Sequence, residues 1–514
     1  MIANMTGTQI KNIALTIGLI TGISGVNNLT AQEKPNVLFI MVDDLGWQDV
    51  GFMGSTYYET PNIDKLASKS LVMTNSYMYP TCAPSRAALA TGKHSFRTQM
   101  YSVAATERGN ADESLFSRQT LTKAHTHYAS LLNEAGYQLI HIGKWHLVGP
   151  YPLDETARDY PFDRHLSQPD NGDLSWVEKH KSPDVQQYYP EGMGYHKNVG
   201  GTFWGDPARG YDKGYQSKSG GYRAPFKNPF IEPKTDDEWL TDRLTDEAIG
   251  FMKNNQEKPF FVNLHFYSVH RPTVPRSDEL KIKYENKKPC PVTGQYQDGR
   301  AETAAYATMV ENVDRNVGRL LKWLDESGLR ENTVVFFTSD NGFNHRQSFT
   351  KNLRGTKFTF YEGGLRVPAL INWKGTISPQ RTDEPTQCID YFPTFLDLAG
   401  IEDYDGFTDG NSLVPMMHGN SINRTEPLFW HLASEGGNNP DRAAVTVMRK
   451  GNWKLIQRLN KPEKSELYNL QVDPKEQKNL YNIDRKKAES LVETMTKWRR
   501  DNKVPLPPAS PLKY

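Results

Sequence analysis

One cysteine lies in a segment whose residue types favour anionic chemistry. Residues 82–93 read CAPSRAALATGK, so Arg86 follows Cys82 by four positions, with Pro84 between them. Proline suits the first turn of a helix, which places Arg86 one helical turn from the cysteine. A cysteine at a helix N-terminus beside an arginine lies in a positive field that favours negatively charged groups. Taken alone, Cys82 could equally be an inert buried residue.

Two pairs of hard oxygen ligands end predicted strands. Asp43 and Asp44 follow the apolar run at residues 36–42, and Asp340 and Asn341 end a later apolar run. Where a strand ends the chain turns, so neighbouring carboxylates can converge, and close carboxylates favour a cation between them. Oxygen ligands favour Ca²⁺ or Mg²⁺ over Zn²⁺. Either pair alone could instead be a turn or a helix cap.

Cations and imidazoles follow two further apolar runs. Lys144 and His146 come after residues 138–142, and two residues that are two positions apart in an extended chain share a face. A cation and an imidazole together suit an oxyanion and a proton transfer. A solvated lysine and a capping histidine are the alternative. His270 follows the run at 260–266 in the same way.

These segments together resemble the formylglycine-dependent (type I) sulfatases of the alkaline-phosphatase-like superfamily. The string CAPSR with its TGK tail matches the family signature at every fixed position, and GKWH matches a second family segment. Lys357, followed by YEGG, matches a third, and the C-terminal ELYNL with DP resembles the family's ending. His270 matches less closely, because Arg271 replaces the threonine often found there. The resemblance covers nearly the whole mature chain.

The resemblance implies a metal and a modified cysteine. A formylglycine-generating maturation enzyme would oxidise Cys82 to formylglycine (3-oxoalanine), whose hydrate attacks sulfur. One divalent cation, Ca²⁺ or alternatively Mg²⁺, would be bound by the matched ligands: Asp43, Asp44, Cys82, Asp340 and Asn341.

The resemblance also assigns roles to the basic residues. Lys144 and Lys357 would bind the sulfate oxygens, where the reaction develops most charge. Arg86 would hold the formylglycine. His270 would contact the sulfate and protonate the departing alcohol, and His146 would help to deprotonate the second hydroxyl so that sulfate leaves.

We therefore expect a sulfatase that acts on a sulfated carbohydrate. The aromatic-rich residues 151–233 lack periodicity and predict long functional loops, and aromatic faces stack on sugars. Arg271, His345 and Arg346 lie in loops where they could bind a sugar or a uronate. Each of these three could instead be an ordinary solvated residue.

Two other classes are alternatives. A phosphodiesterase or phosphonate monoester hydrolase of the same superfamily can share the metal site and the formylglycine, although the cysteine string and both lysines favour sulfate. A non-catalytic glycan-binding relative is expected to have lost Cys82, Lys144 or Lys357, and the sequence keeps all three.

Apolar runs alternate with helical patterns and predict an α/β fold. The runs are at residues 36–42, 138–142, 260–266 and 333–338, and the helical patterns are at 126–135, 236–254, 302–327 and 389–399. With the resemblance, this predicts a large mixed, mostly parallel sheet sandwiched by helices, with the active site at the carboxyl ends of the strands. We expect a catalytic domain at residues 32–405 and a smaller C-terminal α+β subdomain at 406–514, in which a helix at 486–501 follows short antiparallel strands.

The bulk composition and the N-terminus limit partners and location. The 514 residues include 61 Lys and Arg against 60 Asp and Glu, which gives no electrostatic footprint for nucleic acid. An apolar run at residues 13–23 is too short for a membrane span and suits a signal peptide at 1–31, with a buried core helix as the alternative. We expect export to the periplasm or the extracellular space, and no membrane span in the mature chain. The three cysteines, Cys82, Cys290 and Cys388, allow at most one disulfide.

Overall fold

Strands and helices alternate along the first four-fifths of the chain. The computed structural model describes residues 34–101, 118, 120–148, 187–199, 222–224, 231, 234–271, 273–288, 299–344, 353–433, 444–507 and 510–512. Within these ranges the strands are β1 (Asn36–Val42), β2 (Leu71–Tyr77), β3 (Gln138–Gly143), β4 (Lys197–Val199), β5 (Phe260–Phe266), β6 (Thr333–Ser339), β7 (Arg366–Trp373), β8 (Gln380–Thr382), β9 (Thr386–Gln387), β10 (Leu428–Leu432), β11 (Val445–Lys450), β12 (Trp453–Arg458) and β13 (Glu466–Asn469). The α-helices are α1 (Pro61–Ala67), α2 (Cys82–Thr91), α3 (Ser95–Thr98), α4 (Tyr128–Glu134), α5 (Leu240–Asn254), α6 (Asp278–Asn286), α7 (Gly299–Glu326), α8 (Glu362–Leu365), α9 (Tyr391–Leu398), α10 (Val414–Met417) and α11 (Arg485–Asp501).

The main sheet is mixed and mostly parallel. Its strand order is β4-β3-β5-β1-β6-β7-β2-β8, and β9 also pairs with β2. β1 runs parallel to β5 and β6, and β3 runs parallel to β4 and β5, whereas β7 is antiparallel to both of its neighbours. β1, β5 and β6 are buried at every position, as expected of strands that are covered on both faces.

Helices cover both faces of this sheet. Phe39 and Met41 of β1 belong to one hydrophobic cluster, together with residues of α2, α4 and α9. Leu38 and Ile40 belong to a second cluster, together with residues of α1, α5 and α7. Successive side chains of a strand point to opposite faces, so the two clusters lie on opposite sides of the sheet. The predicted fold class is confirmed.

A second, antiparallel sheet of order β10-β11-β12-β13 lies in the C-terminal part, followed by α11. Trp430, Val447 and Leu455 of this sheet belong to the same hydrophobic cluster as Phe39. The smaller C-terminal subdomain is therefore confirmed as an architectural element that packs on the catalytic part. The boundary at residue 406 stays a prediction.

Five strands of the main sheet were missed by the sequence patterns, namely β2, β4, β7, β8 and β9. The longest of them are β2 and β7. Pro368 lies within β7, and a proline argues against a central strand because it donates no ladder hydrogen bond. The pairing of β2 with β7 shifts register between Met73 and Ser76, opposite Pro368. The irregular pairing therefore accommodates the proline.

No helix in the described ranges combines the length and apolar character needed to cross a lipid bilayer. The predicted signal peptide, residues 1–31, lies outside the described residues.

Candidate active site

Parallel neighbouring strands bring the predicted site residues to one edge of the sheet. β3, β5, β1 and β6 are adjacent in that order, and Lys144, Asp43 and Asp340 each follow the last residue of one of these strands. His270 comes four positions after the end of β5. Cys82 is the first residue of α2. The carboxyl ends of the strands therefore carry the site, as predicted.

Four acidic or sulfur ligands cluster there. One ligand atom from each of Asp43, Asp44, Cys82 and Asp340 lies within 4.8 Å of the others, and all four residues are buried. Asp44 has a left-handed backbone with φ of 61°, so the chain turns at this point and both aspartates of the pair can face the cluster. The convergence of the strand-end carboxylates is as the sequence predicted.

Two buried oxygens in this cluster have no hydrogen-bond partner. They are Asp44 Oδ2 and Asn341 Oδ1. Asn341 Nδ2 donates to Asp44 Oδ1 at 2.7 Å and to Gly342 O at 2.9 Å, so the amide oxygen is the group left over. Unpaired buried acceptors are costly, and a cation would satisfy both. The donor set therefore fits a divalent metal with oxygen ligands.

Two buried lysines face the carboxylates. Lys357 Nζ lies 2.6 Å from Asp44 Oδ1 and 3.1 Å from Cys82 Sγ. Lys144 Nζ pairs with Asp43 Oδ2. Burial by itself lowers the pKa of Lys357, but Asp44 and Cys82 outweigh it and raise that pKa. Burial also lowers the pKa of Lys144, but Asp43 outweighs this effect and raises that pKa. Both lysines are therefore charged at neutral pH.

The three carboxylates respond differently to their surroundings. Burial, and next the charge of Asp340, raise the pKa of Asp43. Burial also opposes ionisation of Asp44, but Lys357 and His270 hold the Asp44 pKa below its usual value. Arg86 does the same for Asp340. A cation placed among them would favour the ionised form of all three.

Arg86 connects the cysteine helix to two strand ends. Its Nε and Nη2 donate to Asp340 Oδ2 at 3.1 and 2.7 Å. Its Nη1 donates to Lys144 O at 2.6 Å and to His265 Nδ1 at 2.9 Å. His265, interpreted from the sequence as a satisfied core residue, is therefore a neighbour of the site residues, and its buried Nε2 has no hydrogen-bond partner.

The environment of Cys82 differs from the sequence-based expectation. Burial, and next Asp340, raise the pKa of the Cys82 thiol to about 12, more than Lys144 and Lys357 lower it. The positive field expected from Arg86 and the helix N-terminus is thus offset, because Asp340 pairs with the same arginine. Unmodified Cys82 is a protonated thiol and a poor nucleophile.

The two site histidines differ in exposure. His146 is buried in a left-handed conformation with φ of 57°, so the extended-chain argument that placed it on one face with Lys144 does not apply. Burial, then Lys144 and Arg86, hold the pKa of His146 well below its usual value, which makes it neutral. His270 Nε2 lies 3.7 Å from Asp44 Oδ2. Its Nδ1 donates to Arg271 O at 2.9 Å, which orients the ring.

Of the three residues predicted to contact the sugar, the structure describes only Arg271. Arg271 is partly buried beside His270. His345 and Arg346 lie outside the described residues. Cys388 is a free buried thiol, whereas Cys290 also lies outside the described residues.

Sequence reasoning missed Asp49. Its Oδ2 accepts from Gly46 N at 2.8 Å and from the Tyr306 hydroxyl at 2.7 Å, which fixes the turn after Asp44. A side chain at Gly46 would approach Asp49 Oδ2 to 2.6 Å, so the turn needs glycine there. An aspartate three positions after a glycine in a turn is a signal that could have found it.

Comparison with known proteins agrees with this site. A family model described as Sulfatase matches residues 35–401, and one described as N-sulphoglucosamine sulphohydrolase, C-terminal, matches residues 356–503. A sulfatase of Formosa agariphila is 30% identical over 493 residues, covering 88% of this chain and 85% of the relative. The N-acetylgalactosamine-6-sulfatase of Canis lupus familiaris is 30% identical over 424 residues, covering 80% and 71%. The crystal structure of Ps i-CgsB in complex with k-i-k-neocarrahexaose has a TM-score of 0.68 and 26% identity, covering 92% of this chain and 94% of that chain.

The chain belongs to the sulfatase family of the alkaline-phosphatase-like superfamily, and it is a sulfuric ester hydrolase. The region matched by the Sulfatase model contains the cysteine, both lysines and the four strand-end residues Asp43, Asp44, Asp340 and Asn341. A phosphodiesterase and a non-catalytic binding protein are therefore not the favoured classes.

Proposed function

We propose that this protein hydrolyses sulfate esters of a sulfated carbohydrate, using a formylglycine at Cys82 and one divalent cation, Ca²⁺ or Mg²⁺. The observation that carries the proposal is the position of Cys82. Its Sγ lies 3.1 Å from Lys357 Nζ and belongs to the cluster with Asp43, Asp44 and Asp340. The nucleophile position, the metal ligands and a sulfate-binding cation thus share one buried site.

The metal and the modification fit the residues present. Asp43, Asp44, Asp340, Asn341 and the modified Cys82 would hold the cation, whose charge would polarise a sulfate oxygen and favour an ionised nucleophile. Oxidation by a maturation enzyme would convert Cys82 from a thiol of raised pKa into an aldehyde, whose hydrate supplies a hydroxyl nucleophile. Hard oxygen ligands favour calcium over softer metals.

The lysines bind the sulfate. Lys144 and Lys357 are both charged and buried, so their interactions with sulfate oxygens are screened little by solvent. Each now pairs with an aspartate of the cluster. A cation that takes over those carboxylates would release both ammonium groups toward the substrate, where they stabilise charge in the transition state.

The histidines move protons. His270 donates its Nδ1–H to a carbonyl, which leaves Nε2 as the atom that faces Asp44. In the doubly protonated ring Nε2 also carries a proton, which passes to the departing alcohol and leaves the neutral imidazole. Neutral His146, whose Nδ1 is buried without a hydrogen-bond partner, accepts a proton when sulfate is expelled. Arg86 keeps Asp340 ionised and holds the first turn of α2 against the end of β6, where Asp340 lies.

The carbohydrate assignment rests on the relatives. One acts on N-acetylgalactosamine 6-sulfate by its name, and a structural neighbour binds a neocarrahexaose. The C-terminal family match is to an N-sulphoglucosamine sulphohydrolase region. Arg271, His345 and Arg346 are the proposed sugar contacts. The partial exposure of His270 and Arg271 supports a position for both near the alcohol part of the substrate.

Export and domain organisation complete the proposal. We expect the signal peptide at residues 1–31 to direct the protein to the periplasm or the extracellular space, where polysaccharide fragments are available. The catalytic domain is expected at 32–405 and the C-terminal subdomain at 406–514.

The decisive experiment measures sulfate release from sulfated mono- and oligosaccharides, with a steroid sulfate and matched phosphate esters as contrasts. We expect release from sugar sulfates by the wild-type protein and none by Cys82→Ala. Cys388→Ala is the matched control, because it removes the other free buried thiol described here. Mass spectrometry of the Cys82 peptide should show an aldehyde in the active protein. Full turnover by Cys82→Ala, or a preference for the phosphate esters, contradicts the proposal.

A further inference from the structure

A buried ion cluster joins the segment that carries Lys357 to the C-terminal sheet. Lys454 Nζ of β12 lies 3.0 Å from Glu362 Oε1 and 2.9 Å from Glu476 Oε1. Glu476 Oε2 in turn accepts from the backbone N–H of Glu362 at 2.7 Å. All three side chains are at most 1% exposed. We call Glu362, Lys454 and Glu476 the Lys454 cluster.

A second set of polar contacts joins the same two elements. Arg354 donates to the Tyr468 hydroxyl and to Glu476 O, each at 2.8 Å. The Tyr361 hydroxyl donates to Glu466 Oε2 at 2.9 Å. Residues 354–364 are thus held to the C-terminal subdomain at both ends.

The same segment is hydrogen bonded to the catalytic edge. Lys357 N donates to Phe343 O at 2.8 Å, and Phe358 N donates to Pro80 O at 2.8 Å, two positions before Cys82. Gly342, directly after the Asp340-Asn341 pair, donates to Gly364 O at 3.0 Å. The backbone of Lys357 therefore depends on a segment clamped between the metal ligands and the C-terminal sheet.

The backbone packs too closely at Gly342 and Gly363 to admit side chains. A side chain at Gly342 would meet Gly363 O at 2.0 Å, and one at Gly363 would meet Gly355 O at 2.4 Å. Close backbone packing of this kind transmits a shift at Glu362 to the loop that bears Lys357.

Burying two carboxylates with one lysine is unfavourable unless their interactions offset the lost solvation of the charges. Removing charged groups from water costs free energy, and apolar residues of the same size often stabilise a fold equally well. A buried network of hydrogen bonds and ion pairs instead favours one arrangement of the groups that it connects. Tyr77 and Arg449 extend this network, since the Tyr77 hydroxyl donates to Glu362 Oε2 at 2.7 Å and Arg449 pairs with Tyr77.

We infer that Lys454 and Glu476 are positioning residues for the reaction, which set the location of the Lys357 ammonium group through residues 354–364. The C-terminal subdomain then completes the sulfate site without contacting substrate. The inference rests on the proposed function, because it takes Lys357 as a sulfate-binding group.

The test is a double-mutant cycle on kcat/KM for a sulfated sugar. It is measured at a pH of about 8, above the pKa of about 7 to which burial raises Glu476, so that this carboxylate is ionised. The variants are Glu476→Gln, which keeps the size of the side chain, and Lys454→Met, each made in the wild type and in Lys357→Ala. In the wild type we expect each to lower kcat/KM by about 10- to 100-fold, because a displacement of about 1 Å is enough for that loss. In Lys357→Ala we expect no further loss, since the group being positioned is gone.

Equal losses in both backgrounds overturn the inference, because a general structural defect does not depend on Lys357. Unchanged kcat/KM in the wild-type background also overturns it. If Lys454→Met does not fold, Glu476→Gln carries the cycle. Arg424→Met is the control, since it breaks an ion pair between a partly buried arginine and the buried Asp390 and should lower kcat/KM little.

Failure of the proposed function gives a different pattern. If Lys357→Ala alone retains wild-type kcat/KM, the assignment of Lys357 as a sulfate ligand is wrong, and the inference falls with it. If Lys357→Ala loses activity and the losses multiply, only the positioning role is wrong.

Discussion

Arg86 donates two hydrogen bonds to a single carboxylate oxygen of Asp340, from Nε at 3.1 Å and from Nη2 at 2.7 Å. The two residues are 254 positions apart in the sequence, and both are almost completely buried. The pair therefore joins the helix that begins at Cys82 to the strand end that carries two of the five proposed metal ligands, Asp340 and Asn341. This relationship makes a direct prediction about metal binding.

Arg86→Lys should weaken the metal site although it keeps the charge. A lysine presents one ammonium group and cannot reproduce the two donors to Asp340 or the bond to Lys144 O. We expect calcium affinity, measured by titration calorimetry on purified protein, to fall by about 10- to 100-fold, as for other residues that orient metal ligands. An unchanged calcium affinity in the folded variant contradicts this role.

Removal of the metal should abolish activity and lower thermal stability. Without a cation, Asp44 Oδ2 and Asn341 Oδ1 have no hydrogen-bond partner, and Lys357 and Lys144 stay paired with aspartates instead of sulfate. We expect dialysis against a chelator to stop sulfate release, and calcium to restore it. The midpoint of thermal unfolding should rise with calcium concentration, because the ion binds only the folded site. Full turnover by protein shown to be metal-free is the contrary result.

His270→Gln should affect substrates according to their leaving groups. A sugar alkoxide leaves poorly and needs a proton, whereas a nitrophenolate leaves without one. We expect kcat/KM for a sugar sulfate to fall by about 10²- to 10⁴-fold and the value for nitrophenyl sulfate to fall much less. Equal losses for both substrates would assign His270 to sulfate binding only. His125→Gln, at a partly buried histidine outside the cluster, is the matched control.

Glu476 should make stability depend on pH. Burial raises the pKa of Glu476 to about 7, which Lys454 opposes and the facing carboxylate of Glu362 reinforces. Burial also disfavours the Glu362 carboxylate, but Lys454, Arg449 and Arg366 outweigh it and lower its pKa to about 2. One lysine cannot neutralise both carboxylates, and Glu362 has the additional arginines.

The direction of this pH dependence follows from the uptake of a proton on folding. Between the unfolded pKa of about 4.3 and the folded pKa of about 7, the folded protein holds a proton on Glu476 that the unfolded chain has released. The contribution of this group to the free energy of unfolding is complete below that interval and is lost as the pH rises through it. We expect urea unfolding to show that the wild type loses stability relative to Glu476→Gln between pH values of about 4.5 and 7.5. A constant or increasing difference contradicts the assignment.

Much of the fold and most of the site could be predicted from the sequence. The runs at 36–42 and 260–266 coincide with β1 and β5, because strands buried on both faces are continuously apolar. Asp43, Lys144 and Asp340 each follow one of the predicted strands. Because these strands pair in parallel, the three residues lie at the same edge of the sheet. The predicted helix at 302–327 is longer in the structure and begins at Gly299, since helix ends are weakly encoded.

The sequence alone was enough to name the residues of the candidate site, because short motifs and strand ends depend on local spacing. Only the tertiary structure decided how those residues pair with one another and which other side chains contact and position them. The protonated state of Cys82, the contact of His265 with Arg86 and the Lys454 cluster all depend on segments that are distant in sequence. Lysine and glutamate are usually exposed to solvent. Only the packing of β12 against residues 354–364 shows that Lys454 and Glu476 are buried beside the segment that carries Lys357.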